Sequence, residues 1–104
     1  MGWADRHIEK LQQGETVKFR PHGTSMSGKV ESGQLVTVEP LDDPHTLQVG
    51  DIVLCKVKGT QYLHMIMKIK GKNEEFEIGG YNRNFTNGWI SANQIYGKCV
   101  KVED

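Results

Sequence analysis

The sequence is poor in the features that mark a disulfide-linked or metal-binding protein. It contains only two cysteines, Cys55 and Cys99, which lie far apart inside apolar segments. Structural zinc sites need neighbouring pairs of ligands, and the four scattered histidines do not supply them. We therefore expect two buried free thiols, no metal and no other cofactor.

Long hydrophobic runs are missing too. No apolar stretch approaches the roughly 20 residues that are needed to span a bilayer. The opening segment MGWADRHIEK lacks the apolar core of a signal peptide. These two absences predict a cytoplasmic protein with no membrane anchor.

The chain carries no excess of either charge. Lysine and arginine number 13, aspartate and glutamate also number 13, and the formal net charge is zero. A global attraction to nucleic acid or to an anionic membrane is thereby excluded. A local cluster of lysines favours a solvated β face, and the alternative is a surface where nucleic-acid bases stack on aromatic rings. The residues of that alternative are Lys56, Lys58, Lys68, Lys70 and Lys72 with Tyr62, Tyr81, Phe85 and Trp89.

What the chain does contain is one helical pattern followed by many short strands. Residues 3–13 place Trp3, Ile8 and Leu11 at helical spacing, and Gly14 then ends the helix. The remainder, residues 15–103, alternates between β-branched stretches and turns. We therefore predict a single domain over residues 1–104: a mainly β, compact, barrel-like fold of about six strands with one short N-terminal helix. The predicted strands are 15–20, 34–39, 51–57, 61–69, 75–80 and 95–103, with loops at 41–50 and 81–89.

The fourth predicted strand alternates clearly between two faces. Leu63, Met65, Met67 and Ile69 form the face that we expect to lie in the core. The other face consists of Tyr62, His64, Ile66 and Lys68.

The segment Gly23-Thr24-Ser25-Met26 is the first candidate for chemistry. A flexible glycine before a serine lets the backbone present a hydroxyl and an N–H towards one point. Acyl transfer needs these two groups, a nucleophile and an oxyanion donor. The alternative is a turn serine that is hydrogen-bonded to nearby backbone.

His64 is the candidate base for Ser25. It lies on the less apolar face of its strand, where it is available to another element, and an imidazole accepts a hydroxyl proton near neutral pH. The alternatives are that His64 is an ordinary strand histidine, or that His22, which is closer in sequence, takes the role.

The order of several motifs resembles the LexA/signal-peptidase superfamily of serine peptidases. The similar segments, which together cover about residues 17–102, are GTSMSGKVESGQLVTV, VGDIVLCKV, YLHMI, GGYNRNFTNGW and IYGKCVKV. The resemblance implies a LexA/signal-peptidase-like β domain that acts on a peptide bond.

The resemblance also assigns roles to individual residues. Ser25 matches the nucleophile, and its backbone N–H, on the Gly23-Thr24 turn, would help to form the oxyanion hole. Met26 would pack beneath the nucleophile. His64 matches the general base, which is lysine in most bacterial members and histidine in the endoplasmic-reticulum and archaeal signal peptidases.

The chain departs from the family pattern at four positions. Gly28 replaces a proline, Gln34 replaces the aspartate of the first Gly-Asp, and Tyr81 replaces the aspartate of a Gly-Asp-Asn segment. Asn87, before a glycine, replaces a second acid. The amides of Asn82, Asn84 or Asn87 would then orient His64 without contributing charge.

Two functions follow as alternatives. One is a peptidase with a Ser25–His64 dyad, and the other is an inactive relative that binds a peptide or protein, as a monomer or as a dimer. The LexA-like members cleave themselves at an Ala-Gly or Cys-Gly bond, and the sequence contains neither pair. One helix is too little for a helix-turn-helix. We therefore expect the peptide to come from another chain, with no nucleic acid and no membrane as partner.

Overall fold

β-branched and aromatic residues dominate the segments after the helix, and they form one antiparallel sheet. The computed structural model describes residues 2–81 and 86–104. In these residues the helix α1 is Asp5–Gln12, and the strands are β1 Val17–Phe19, β2 Leu35–Pro40, β3 Ile52–Val57, β4 Thr60–Lys70, β5 Glu75–Gly79, β6 Thr86–Ser91 and β7 Ile95–Glu103. Short 3₁₀ turns occupy Pro44–Thr46 and Ala92–Gln94.

The strand order in the sheet is β1-β2-β7-β3-β4-β5-β6. The prediction of a mainly β fold with one short N-terminal helix is confirmed. Among the described residues the sheet has seven strands rather than about six, because β6 lies in a segment that was expected to be a loop. Asparagine and glycine are uncommon in strands, and their presence in β6 makes this segment resemble a loop in the sequence.

The sheet curls without closing into a barrel. Between the described residues, β1 and β6 are the two ends of the hydrogen-bonded order and do not pair with each other. The curl brings β6 over β3, so that a Cβ built on Gly88 would stand 3.4 Å from Val57 Cγ1. The sheet is therefore curved but open, rather than a closed barrel.

Both faces of the sheet are covered, which gives two hydrophobic clusters. Along β3 the side chains alternate between them: Leu54 belongs to the first cluster, and Val53 and Cys55 belong to the second. The first cluster contains Ala4, Ile8, Leu11, Val17, Met26, Val30, Val36, Val38, Leu54 and Leu63. The second contains Leu47, Val53, Cys55, Val57, Ile66, Phe76, Ile78, Ile90 and Ile95.

The predicted core face of β4 holds only in part. Leu63 is buried as expected, but the opposite face is covered too, so that Ile66 is fully buried in the second cluster. Ile69, which was expected on the face of Leu63, packs against the second cluster instead. The β4–β5 register shifts between Ile66 and Lys68. Such a bulge changes the face towards which the following side chains point, and alternation in a single sequence does not reveal it.

The helix is attached to the sheet through Gln61 of β4. Ala4 stands at the helix N-terminus and has no side chain that can cap it. Its N–H instead donates to Gln61 Oε1 at 2.7 Å, and Gln61 Nε2 donates to Asp5 Oδ1 at 2.5 Å. The indole N–H of Trp3 donates to the Gln61 carbonyl at 3.3 Å. These bonds hold the start of α1 against the strand that carries His64.

No helix in the described part of the chain combines the length and the hydropathy that a bilayer span requires.

Candidate active site

Ser25 lies on a closed loop between β1 and β2. The Gly33 N–H donates to the Pro21 carbonyl at 2.8 Å and thereby joins the two ends of the loop. Met26 and Val30 are buried at 5% and 3% exposure and fix the middle of the loop in the first cluster. Since the residue next to Ser25 is packed into the core, the serine has little freedom to move.

The structure brings Ser25 together with His64. Ser25 Oγ lies 2.9 Å from His64 Nε2, although 38 residues separate them in the chain, from 26 to 63. His64 is 6% exposed and stacks on Tyr62, with the ring centroids 4.7 Å apart. His22, the rival partner, is an exposed residue of the same cleft.

The second ring nitrogen of His64 has an amide partner. Asn87 Oδ1, on β6, lies 2.7 Å from His64 Nδ1. Because an amide oxygen only accepts, Nδ1 carries the hydrogen and Nε2 of the neutral ring is left as the acceptor. The Ser25 hydroxyl then donates to Nε2, and this is the direction that a general base requires.

Gly80 packs closely against Ser25. A Cβ built on Gly80 would stand 2.7 Å from the Ser25 carbonyl oxygen and 3.2 Å from Ser25 Cβ. Real contacts of this kind are essentially never shorter than 3.0 Å. Only glycine therefore fits here without displacing the serine. The neighbouring Tyr81 ring covers Gly28, whose own Cβ would stand 2.7 Å from it.

The backbone next to Ser25 offers a candidate oxyanion donor. Between the described residues, no hydrogen bond uses the N–H of Ser25. The Thr24 carbonyl, which shares a peptide plane with the Ser25 N–H, accepts from the N–H of Ser27 and so fixes that plane. The Met26 carbonyl accepts from Lys29 and Val30. Gly23 has φ +121°, a conformation that favours glycine, and its N–H donates to Ser32 Oγ at 3.2 Å.

The other residues that were predicted for the site lie either at the cleft or outside the described part of the chain. Gly23 and Thr24 line the cleft beside Ser25, and Met26, the next residue, is buried in the first cluster. Asn82, Asn84 and Phe85 lie outside the described residues.

The other aromatic residues of the nucleic-acid alternative lie in separate surroundings. Tyr62 stacks on His64, and Trp89 lies under Lys70, whose Nζ is 4.2 Å from the ring centroid. Tyr81 covers Gly28 and receives Lys29 Nζ at 5.2 Å from its ring centroid.

The Ser25–His64–Asn87 arrangement lies in a cleft of about 650 Å³. One wall is aromatic and is built by Trp3, His7 and Phe19. This wall was not predicted, because helical spacing groups Trp3 with Ile8 and Leu11, which are buried, whereas Trp3 is 53% exposed. The close contact of Gly80 with Ser25 was not predicted either, because no pattern in a single sequence shows which backbone segments lie against each other.

Both cysteines are free and stand apart from this site. Cys55 is fully buried, and burial raises the pKa of its thiol to about 12. Cys99 is half-buried, and burial raises the pKa of its thiol as well. The prediction of free thiols is confirmed, although Cys99 is less buried than expected.

No protein-family model matches the chain, and none of the curated proteins matches it in sequence.

Proposed function

We propose that this protein is a serine peptidase that cleaves a peptide bond with Ser25 as nucleophile and His64 as general base. The observation that carries the proposal is the continuous hydrogen-bonded chain from Ser25 Oγ through His64 to Asn87 Oδ1, with distances of 2.9 Å and 2.7 Å. A nucleophile, a base and a group that orients the base are the three parts of a nucleophilic catalyst.

In the acylation step, Ser25 Oγ forms a bond to the peptide carbonyl carbon and its proton passes to His64 Nε2. The carbonyl oxygen becomes an oxyanion, which the N–H of Ser25 stabilises. The intermediate then collapses: the carbon–nitrogen bond breaks, and His64 delivers the proton to the leaving amine. A water molecule attacks the resulting ester, His64 accepts its proton, and the proton returns to Ser25 as the acid product leaves.

The LexA/signal-peptidase superfamily is the proposed relationship. Its support is the order of the motifs along the chain, together with the proximity of Ser25 and His64 in a mainly β fold. The substrate in this proposal is a cytoplasmic peptide or protein from another chain.

Asn87 favours a second candidate, a peptide- or protein-binding module without turnover. An amide orients His64, but it adds no negative charge to stabilise the imidazolium that forms during catalysis. The cleft would serve equally well to hold an extended peptide.

Active-site labelling separates the two candidates. We expect a fluorophosphonate to label the wild-type protein at Ser25, and we expect a peptide library to be cleaved. Ser25→Ala should abolish both reactions, whereas the matched control Ser27→Ala, on the same loop, should retain them. The absence of labelling and cleavage, with peptide binding equal in wild type and Ser25→Ala, would support the binding module. Unfolding of both Ser25→Ala and Ser25→Thr would assign Ser25 a structural role only.

A further inference from the structure

Three rings, those of Trp3, His7 and Phe19, form the aromatic wall of the cleft. His7 stacks on Phe19 with the ring centroids 4.3 Å apart and the planes inclined by 20°. Trp3 approaches Phe19 at 5.7 Å and His7 at 6.4 Å. Trp3 nevertheless remains 53% exposed, and exposed apolar surface that is grouped in one cleft, rather than scattered singly, marks a binding site.

From this wall we propose that the cleft selects extended peptides that carry an aromatic side chain, which packs against Trp3, His7 and Phe19. The proposal deepens the peptidase function proposed above, since the same cleft contains Ser25 and His64. Aromatic rings prefer offset-stacked or edge-to-face neighbours, and the wall presents both a ring face and a ring edge.

The wall is held in a fixed position relative to the candidate catalytic residues. Trp3 Nε1 donates to the carbonyl of Gln61, which belongs to the same strand as His64. Phe19 is the last residue of β1, and the Ser25 loop begins immediately after it. A side chain bound at the wall would therefore fix the register of a peptide over Ser25.

The charges around the wall favour an uncharged side chain. Arg20 donates to the Gly33 carbonyl at 2.8 Å, and Glu31 accepts the N–H of Gly28 at 2.7 Å. Both of these charged residues, the two among the described residues that line the cleft, are therefore engaged in holding the loop. Burial of His7, with a smaller contribution from Lys10, lowers the pKa of its imidazole and so disfavours the charged form of the ring.

The test measures binding without turnover. The probes are blocked alanine-serine octapeptides in which a single Phe is moved through every position, and the reference is the same peptide without Phe. Titration calorimetry with Ser25→Ala should show at least one Phe peptide that binds about tenfold tighter than the reference. Adding Trp3→Ala or Phe19→Ala should remove that preference. Trp89→Ala is the matched control, because Trp89 is an exposed aromatic outside the cleft, and it should leave the preference unchanged.

Equal binding of all Phe peptides and the reference would overturn the proposal. So would a preference that survives both Trp3→Ala and Phe19→Ala. If circular dichroism shows that Phe19→Ala does not fold, His7→Ser and Phe19→Leu replace it with the same expected loss. Cleavage by the wild type without any Phe preference would refute this inference and leave the peptidase standing. A Phe preference without labelling or cleavage would support the aromatic subsite and refute the peptidase.

Discussion

Asn87 Oδ1 accepts a hydrogen bond from His64 Nδ1 across 2.7 Å and so selects the tautomer whose Nε2 faces Ser25. The two residues come from β4 and β6, which are not neighbours in the sheet. An amide performs the orienting function of a triad acid here but contributes no charge.

Asn87→Asp should raise the rate of fluorophosphonate labelling by about tenfold, since a carboxylate would stabilise the developing imidazolium and about 1.4 kcal/mol corresponds to a factor of ten. The acidic limb of the pH–rate profile should move to higher pH. Asn87→Ala should instead lower the rate, because the tautomer is no longer fixed. Equal rates for all three proteins would contradict the assigned role of Asn87.

Gly80→Ala should slow labelling of Ser25 about 100-fold, because the new methyl group would displace the serine and small displacements of a nucleophile cost this much. Gly59→Ala is the control. Gly59 has φ +83° and open space around it, so this variant should lose about 1 kcal/mol of stability and retain normal labelling. A normally labelled Gly80→Ala protein would show that the contact with Ser25 is unimportant.

Gln61→Ala should lower the free energy of unfolding by about 1–3 kcal/mol, since the buried N–H of Ala4 loses its partner. Urea unfolding followed by circular dichroism measures this loss. Gln12→Ala, an exposed substitution on α1, should change the stability by less than about 0.5 kcal/mol. Similar stabilities of the two variants would mean that Gln61 does not anchor the helix.

The pH dependence of stability should report the environment of His7. Its folded-state pKa is lowered, by burial first and by Lys10 second, so the folded protein binds the proton less readily than the unfolded chain. The contribution of His7 to stability is therefore fully present above the unfolded pKa of about 6.5, and it is lost as the pH falls from that value through the lower folded-state pKa. Between about pH 7.5 and pH 5.5, the wild type should lose more stability in urea than His7→Phe. Parallel losses in the two proteins would refute this account.

Cys55 should resist thiol reagents in the native protein, because it is fully buried and burial raises its pKa to about 12. A Cys99→Ser variant isolates this thiol for measurement with a chromogenic disulfide reagent at about pH 8. No colour should develop until urea unfolds the protein, and its appearance should coincide with the loss of circular dichroism. Rapid reaction without denaturant would show that the second cluster opens locally.

Local patterns in the sequence determined the helix, most of the strands and the two candidate catalytic residues. Helical spacing of Ile8 and Leu11 before Gly14 defines α1, and β-branched runs define β2, β3 and β7. Ser25 and His64 were paired on residue type and on the resemblance, and the observed 2.9 Å contact agrees with that pairing.

Other features depended on contacts between distant segments, which local patterns do not encode. β6 is a strand because β5 pairs with it, in spite of its asparagine and glycine. The curl of the sheet places Asn87 beside His64. Trp3 is exposed on the cleft wall, where its indole N–H is bonded to the Gln61 carbonyl. The chain itself determined which residues are available for chemistry, whereas the tertiary structure decided which of them meet, because sheet curvature, bulges and buried hydrogen bonds arise only when the strands have packed together.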